Sequence, residues 1–259
     1  MTSREKPSKS DPLMVRSVEK AFRVLSAFNA ERSTMNLSQI AAETDLDMSA
    51  AQRFTHTLVK LGYLNKSPAT RQFELSVRTL DLGYHFTRAN RLMERALPYL
   101  QHLSKETEET VNLTIPDDTE VVFVSRFLSR HVLNTDVILG TRLPAYCTAP
   151  GLAILSRLPA SEATAIIEAS DLRPFTPHTV WDKTEIEARV AEASQSGFAV
   201  ACEEIYHGDG SVAAAILDTV GRPIAAINIA TSLARYTHSE LVERFAPLVV
   251  AAARSISKL

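Results

Sequence analysis

Cys147 and Cys202 are the only two thiols in a chain of 259 residues. Cys147 lies in "LPAYCTAPG" (143–151), between Tyr146 and Thr148. A thiol there could act as a nucleophile, ligate a metal or form part of a pocket wall. Nucleophilic use needs a base close enough to take its proton. The only histidine within 20 residues is His131, and a base from elsewhere in the fold stays open. Cys202 begins "CEE", with His207 and Asp209 following. Those four residue types could hold a metal, although pocket lining and surface charge is the plainer reading. The seven histidines (56, 85, 102, 131, 178, 207, 238) never fall within five residues of one another, so no helical zinc motif exists. There is no G-x-S-x-G elbow, no Walker loop and no G-x-G-x-x-G after a strand. The sequence therefore gives catalysis no positive support, and we expect no catalytic residues, no metal and no cofactor.

The composition is 45% hydrophobic and 22% charged, as in a globular protein with substantial cores. No apolar run reaches the length of a membrane span. "MTSREKPSKSDP" lacks the apolar stretch of a secretion signal and reads as a disordered lead-in over residues 1–13. Two cysteines without such a signal point to free thiols in a cytoplasmic protein. The net charge of -2 hides an asymmetry. Residues 1–78 carry 12 Lys and Arg against 8 Asp and Glu, while the remainder carry 16 against 22. A basic front segment on an acidic rear domain suits a nucleic-acid-binding module joined to something else.

Helical spacing of Val15, Val18, Phe22, Leu25 and Phe28 predicts an amphipathic helix over Met14–Phe28. "STMNLSQIAAETDLDMS" suits a short helix started by Asn36 or Ser38, with Asp45 in the turn behind it. In "SAAQRFTHTLVKLGYL", Ala51, Phe54, Leu58 and Leu61 form a core stripe. Ser49, Gln52, Arg53, His56 and Lys60 fall opposite. Two short helices around a tight turn, the second presenting residues that bond phosphates and base edges, make a helix-turn-helix. Gly62 should close the second helix in a left-handed conformation. "YLNKSPATRQFEL" reads as two short strands forming a wing, with Lys66 and Arg71 placed to meet phosphate. The winged helix-turn-helix spans 14–75.

A helical segment follows from Ser76 to Thr107, expected to be interrupted near Gly83 and Pro98. Its first part, 76–97, reads as a linker helix. Leu80, Leu82, Phe86, Leu92 and Met93 could pack against a partner chain or within the same one. After residue 110 strands predominate: "TVNLTIPDDTEVVFVSRFL" holds two, and "HVLNTDVILGTRLP" is extended. Helices are expected at "TAPGLAILSRL", "ASEATAIIEAS" and "WDKTEIEARVAEASQSG", the last with Asp182 and Glu185 at capping-box spacing and Gly197 at its end. "FAVACEE", "SVAAAILDT" and "RPIAAINIAT" read as strands. A final helix begins at Thr237 and Glu240, another capping box. Helices around an antiparallel sheet make residues 98–259 an α+β domain.

Several segments in this order resemble the IclR family of bacterial transcriptional regulators. In front they are "RSVEKAFRVLSAF", "LSQIAAETDLDMSAAQRFTHTLVKLGYL" and "FELSVRTLDLG". Behind they are "ETVNLTI", "VVFVSR", "GTRLPAYCTAPGLAIL", "SGFAVACEE" and "GSVAAAILDTVGRPIAAINIA". The resemblance implies a winged helix-turn-helix, a linker helix and a GAF-like α/β effector domain. It implies a homodimer, pairing into a dimer of dimers, on a roughly palindromic double-stranded operator. It places Ser49, Ala50, Gln52, Arg53 and His56 in the major groove and Arg71 on the wing.

The same resemblance puts a small-molecule site at Ala149, Pro150 and Gly151, at Ala201, at Asp209 and Ser211, and at Asn228 and Ala230. Tyr146 and Cys147 lie beside the first group. Backbone N–H groups at the helix start near Gly151 would suit a carboxylate. The chain departs from many members of the family: Leu152 replaces Lys, Ser211 replaces Cys, Asn228 and Ala230 replace serines, and Ala201 replaces an acid. A less acidic pocket than the glyoxylate- and pyruvate-responsive type is expected. "LPAYCT" and "SVAA" are similar to the branch that responds to protocatechuate and hydroxybenzoate, which implies an aromatic or short organic acid as effector.

Overall fold

A computed structural model describes residues 11–130 and 137–257. Most of the expected lead-in, and the 131–136 part of the expected extended segment with His131, lie outside the described residues. The chain divides into two units, Met1–Phe86 and Thr87–Leu259. Among the described residues no helix is long and apolar enough to cross a membrane.

In the first unit, helix α1 (Arg16–Ser26) precedes the two-residue strand β1 (Thr34–Met35), α2 (Leu37–Glu43) and α3 (Met48–Lys60). Strands β2 (Leu64–Lys66) and β3 (Phe73–Leu75) then form a hairpin. Asn36 starts α2 through a complete capping box, each side chain bonding the other's backbone N–H at 2.9 Å. Asp45 takes a left-handed conformation in the turn (φ 49°), and the Asp47 side chain caps α3 by accepting from the Ala50 N–H at 2.7 Å. Gly62 follows α3 with φ 81°, which a glycine adopts without a Cβ clash. Val24, Met35, Ile40, Ala51, Leu58, Leu64 and Phe73 form the core. The predicted α3 stripe holds at Ala51 and Leu58 and leaves Phe54 half-buried, but Leu61 is 53% exposed. Thr55 goes inside, its hydroxyl satisfied within the helix by the Ala51 carbonyl at 2.8 Å. Strand β1 had no signature in the sequence; it pairs with β3 through Met35 and Phe73.

The segment from Ser76 breaks elsewhere than expected. A 3-10 turn (Val77–Thr79) leads into α4 (Leu80–Ala89), and α5 (Arg91–Thr107) starts anew. Gly83 lies inside α4 and Pro98 inside α5. Asn90 makes the break: its side chain accepts from the N–H groups of Leu92 (3.0 Å) and Met93 (3.2 Å) and so caps α5. The apolar residues of the segment divide at the same place. Leu80, Leu82 and Phe86 are exposed, whereas Leu92 is buried and Met93 packs beside it.

The second unit is built on a six-stranded antiparallel sheet in the order β6-β5-β4-β9-β8-β7. Its strands are β4 (Thr110–Asp117), β5 (Glu120–Phe127), β6 (Arg142–Pro144), β7 (Ala199–Cys202), β8 (Asp209–Leu217) and β9 (Pro223–Ser232). Side chains alternate between the sheet's two faces. Val111, Leu113, Val212, Ile227 and Ile229 pack with Leu100 and Leu103 of α5 and with Phe245 and Val249 of α9 (His238–Ser257). The opposite face, with Ala199, Ala201, Ala213 and Ala226, meets α6 (Ala149–Leu155) and its neighbours α7 (Ala160–Ala169) and α8 (Lys183–Ser196). A bulge interrupts β4 and β5: Leu113 opposes Ser125 but Thr114 opposes Phe123, leaving Val124 extra. Thr237 and Glu240 form the expected capping box of α9, with bonds of 2.7 and 3.3 Å. Asp182 caps α8 from one side, accepting from the Glu185 N–H at 3.1 Å, and Gly197 ends that helix at φ 86°.

Candidate functional site

In the first unit the exposed face of α3 and the hairpin enclose one groove. Gln52, Arg53, His56, Lys66 and Arg71 all line it, together with Asn36, Ser38 and Thr57. Arg53 and Gln52 can each form paired hydrogen bonds with base edges, and Lys66 and Arg71 can meet phosphates. Arg71 has φ 58° and closes the hairpin turn through its N–H to the Ser67 carbonyl at 2.9 Å. The Lys66 ammonium sits 5.1 Å over the Phe73 ring, which holds the cation at the groove. Ser49 is exposed but does not line this groove. Ala50 does not fit a groove contact: it is 5% exposed and packed in the core. Its N–H is taken by the Asp47 cap, and its side chain joins the first unit's core. Asn36 and Ser38 were read only as the start of α2. Asn36 caps the helix that precedes α3 and Ser38 sits in its first turn; both are exposed and line the groove.

The second unit contains a cavity between the sheet and the start of α6, enclosing about 60 Å³. One water needs about 10–15 Å³ on such a measure, so the space suits a compact molecule. Eight of the ten residues expected from the sequence line it: Cys147, Ala149, Pro150, Ala201, Asp209, Ser211, Asn228 and Ala230. Strand register explains the convergence. Asn112, Asn228 and Ala213 stand in one row across β4, β9 and β8, and Thr110, Ala230, Ser211 and Ala201 in the next.

Tyr146 and Gly151 do not line the cavity. The Tyr146 hydroxyl is held by the Arg173 backbone, donating to its carbonyl at 2.7 Å and accepting from its N–H at 3.1 Å. Gly151 is a close-approach glycine, since a Cβ there would lie 2.1 Å from the Ala145 carbonyl oxygen. The start of α6, where an anion seat was expected, offers few free donors. Pro150 has no N–H, and that of Gly151 is taken by the Thr148 hydroxyl at 3.3 Å.

The fold also brings in residues that the sequence did not single out, among them Asn112, Phe123, Arg126 and Tyr206, and it sets Glu203 and Glu204 of "CEE" in the lining, in line with the plainer reading of that stretch. The expectation of low acidity considered position 201 alone, whereas three carboxyls face this space. Glu204 is neutralised by Arg189, with contacts of 2.6 and 2.9 Å, although burial still raises its pKa. Glu203 turns one oxygen to the Gly208 N–H at 2.8 Å. Asp209 is pushed up to about 6 by burial, opposed by the positive charge of Arg126. Arg126 is the only cation lining the cavity among the described residues. Burial pushes the Cys147 thiol up to about 12, so it stays protonated at neutral pH and serves as an uncharged wall. Among the described residues no three His, Cys, Asp or Glu side chains come together to hold a metal.

A chain of side-chain hydrogen bonds crosses the cavity floor. The Asn112 amide N–H donates to Asn228 Oδ1 at 3.3 Å, and the Asn228 amide N–H donates to Ser211 Oγ at 2.9 Å. The Ser211 hydroxyl, having accepted there, keeps its own proton to donate.

Comparison with known proteins agrees with this pairing of a groove and a cavity. Residues 17–68 match the family model described as "IclR helix-turn-helix domain" and residues 85–258 the one described as "Bacterial transcriptional regulator IclR C-terminal". The Pca regulon regulatory protein of Pseudomonas putida is 30% identical over 247 residues, covering 95% of this chain and 84% of that protein. A transcriptional regulator from Rhodococcus sp. RHA1 superposes with a TM-score of 0.83 at 33% identity, covering 95% of this chain and 98% of that one. An IclR homologue from Microbacterium hydrocarbonoxydans, solved with 4-hydroxybenzoate, superposes with a TM-score of 0.79 at 24% identity, covering 93% and 98%.

Proposed function

The chain belongs to the IclR family of bacterial transcriptional regulators, and from that premise we propose that it is an effector-responsive regulator of aromatic-acid breakdown. Residues 14–75 bind the operator, 76–97 link, and 98–259 bind the effector, a small aromatic carboxylate. One observation carries this reading: a cavity of ligand size, with a single lining cation and a directed row of hydrogen-bonding side chains, lies in the same chain as a basic groove along an exposed helix. The Pseudomonas relative is named for the Pca regulon and the Microbacterium homologue holds 4-hydroxybenzoate. Both support an aromatic acid as the effector.

The α3 face enters the major groove through Ser49, Gln52, Arg53 and His56, and Lys66 and Arg71 hold the flanking phosphates. Two copies of the chain place two such heads on the half-sites of a roughly palindromic operator, and dimers pair on it. The exposed apolar side chains Val15, Val18, Phe22, Leu80 and Phe86 support self-association. Within the cavity, Arg126 supplies the charge for the carboxylate, Ser211 and Asn228 supply hydrogen bonds, and Ala201 and Ala230 leave room for the ring. The effector acts by favouring one arrangement of the dimer over another, since only a difference in affinity between the two states shifts operator binding.

The test measures operator affinity and effector binding separately. Arg53→Ala should weaken specific operator binding by about tenfold or more with little change in melting temperature. Aromatic carboxylates should raise the melting temperature of the parent by mass action, and Ser211→Ala should blunt that rise. Wild-type operator affinity in Arg53→Ala, or a full thermal shift in Ser211→Ala, would sink the corresponding assignment.

A further inference from the structure

The hydrogen-bond chain on the cavity floor has a direction and two different ends. At one end the Asn112 side chain is 1% exposed, and its Oδ1 has no hydrogen-bond partner among the described residues. A buried acceptor left unpaired is costly, and Asn112 is one of the residues lining the cavity. At the other end the Ser211 hydroxyl accepts from Asn228 and has a proton to give. One end of the floor therefore calls for a ligand donor and the other for a ligand acceptor.

The spacing of the two ends limits the ligand. Asn112 lies on β4 and Ser211 on β8, with β9 between them. Two strand spacings, with an offset of two residues along the strand, separate their backbones by about 12 Å. A single aromatic ring with polar groups at opposite positions, and a hydrogen bond of about 2.8 Å at each end, spans that distance. A ring with adjacent groups does not. Arg126 stands beside Asn112 in register on β5 and lines the same cavity, so its charge lies within the space that the carboxylate would enter.

We infer that Asn112 and Ser211 are the specificity-determining residues of the cavity, selecting a ring acid whose hydroxyl lies opposite its carboxylate. The hydroxyl donates to Asn112 Oδ1. The carboxylate accepts from the Ser211 hydroxyl within the field of Arg126. Asn228 joins the two and fixes which end gives and which takes. This rests on the reading of the cavity as the effector site.

Titration of the full chain with benzoate, 2-hydroxybenzoate and 4-hydroxybenzoate tests it. The parent should bind 4-hydroxybenzoate at least about tenfold more tightly than either other acid, because a site built to pair with a hydroxyl discriminates against ligands that lack it there. Asn112→Leu, of similar size but without the acceptor, should bring 4-hydroxybenzoate and benzoate to within about twofold of each other. Ser211→Ala should weaken both acids by a similar factor and keep their ratio. Asn228→Leu breaks the same chain one strand away and should also shrink the ratio, which guards against misfolding of the first variant. Equal binding of benzoate and 4-hydroxybenzoate by the parent, or a ratio unchanged in folded Asn112→Leu, overturns this inference alone. Failure of all three acids to bind the parent overturns the effector reading, and this inference with it.

Discussion

Asp209 shows how a single residue sets the electrostatic character of the cavity. Burial pushes its pKa up to about 6 from an ordinary 3.8, and Arg126 offsets only part of that cost. A carboxyl raised in the folded state binds its proton more tightly there than in the unfolded chain. It therefore costs no stability below the unfolded value, and the penalty grows as the pH rises from about 4 to about 6. Each pKa unit is about 1.4 kcal/mol, so the penalty at pH 7 is on the order of 2–3 kcal/mol. Asp209→Asn should accordingly melt at a higher temperature than the parent at pH 7, with the gap closing by pH 4; an unchanged gap would show the group to be well solvated. Cys147 presents the opposite case, a group whose chemistry is suppressed. Held protonated by burial, it should react with iodoacetamide only under unfolding conditions, as peptide mapping of the labelled protein would show. Neighbouring residues in the sequence differed in how well they could be read. Cys147 and Ala149 were legible as cavity wall through the resemblance that "GTRLPAYCTAPGLAIL" bears to the family. Tyr146 and Gly151 were not, because the Tyr146 side chain follows a bond to Arg173 and Gly151 answers to the Ala145 backbone.

At the scale of elements, the family resemblance made most of the floor legible, and strict alternation hid its cation. Ser211, Asn228 and Ala230 fall on the cavity face by simple period-two counting along β8 and β9. On β5 the same count starts at Phe123 and excludes Arg126, which the extra residue at the bulge returns to that face. Asn112 was in principle readable, since an asparagine inside a strand as buried as β4 needs a reason to be there. Helix breaks followed capping rather than propensity, so Asn90 rather than Gly83 or Pro98 divides α4 from α5. The junction before α6 is tighter than its composition suggests. Gly151→Ala would place a methyl against the Ala145 backbone, and we expect a loss of about 2 kcal/mol or more, read as a lowered melting temperature. In α3 the contrast is between neighbours. Ala50→Glu would bury a charge in the first unit's core and should unfold it by circular dichroism, whereas Ser49→Ala should leave the helical signal unchanged.

For the whole molecule, the apolar side chains left open on α1 and α4 are the largest departure from what a self-sufficient chain would show. Val18→Glu together with Phe22→Glu should shift sedimentation toward the monomer without loss of helical signal. Retained self-association would place the contact elsewhere. Operator affinity should fall steeply with salt, and Lys66→Ala should lower the slope by about one per head, since each phosphate contact releases counterions. Sequence patterning made both domains legible, yet it could not say which apolar stripes close on the chain itself. Periodicity shows that a face is apolar and is silent about what covers it. The antiparallel sheet has a consequence of a different kind. Along β4, β8 and β9 the odd and even positions belong to different environments, one packed by α5 and α9 and the other open to the ligand. Variation confined to residues 112, 211, 228 and 230 can therefore rewrite chemical preference while Val111, Val212, Ile227 and Ile229 keep their packing. Descendants of such a chain can change the compound they answer to without first becoming unstable, and the same four positions form a compact library for directing that change in the laboratory.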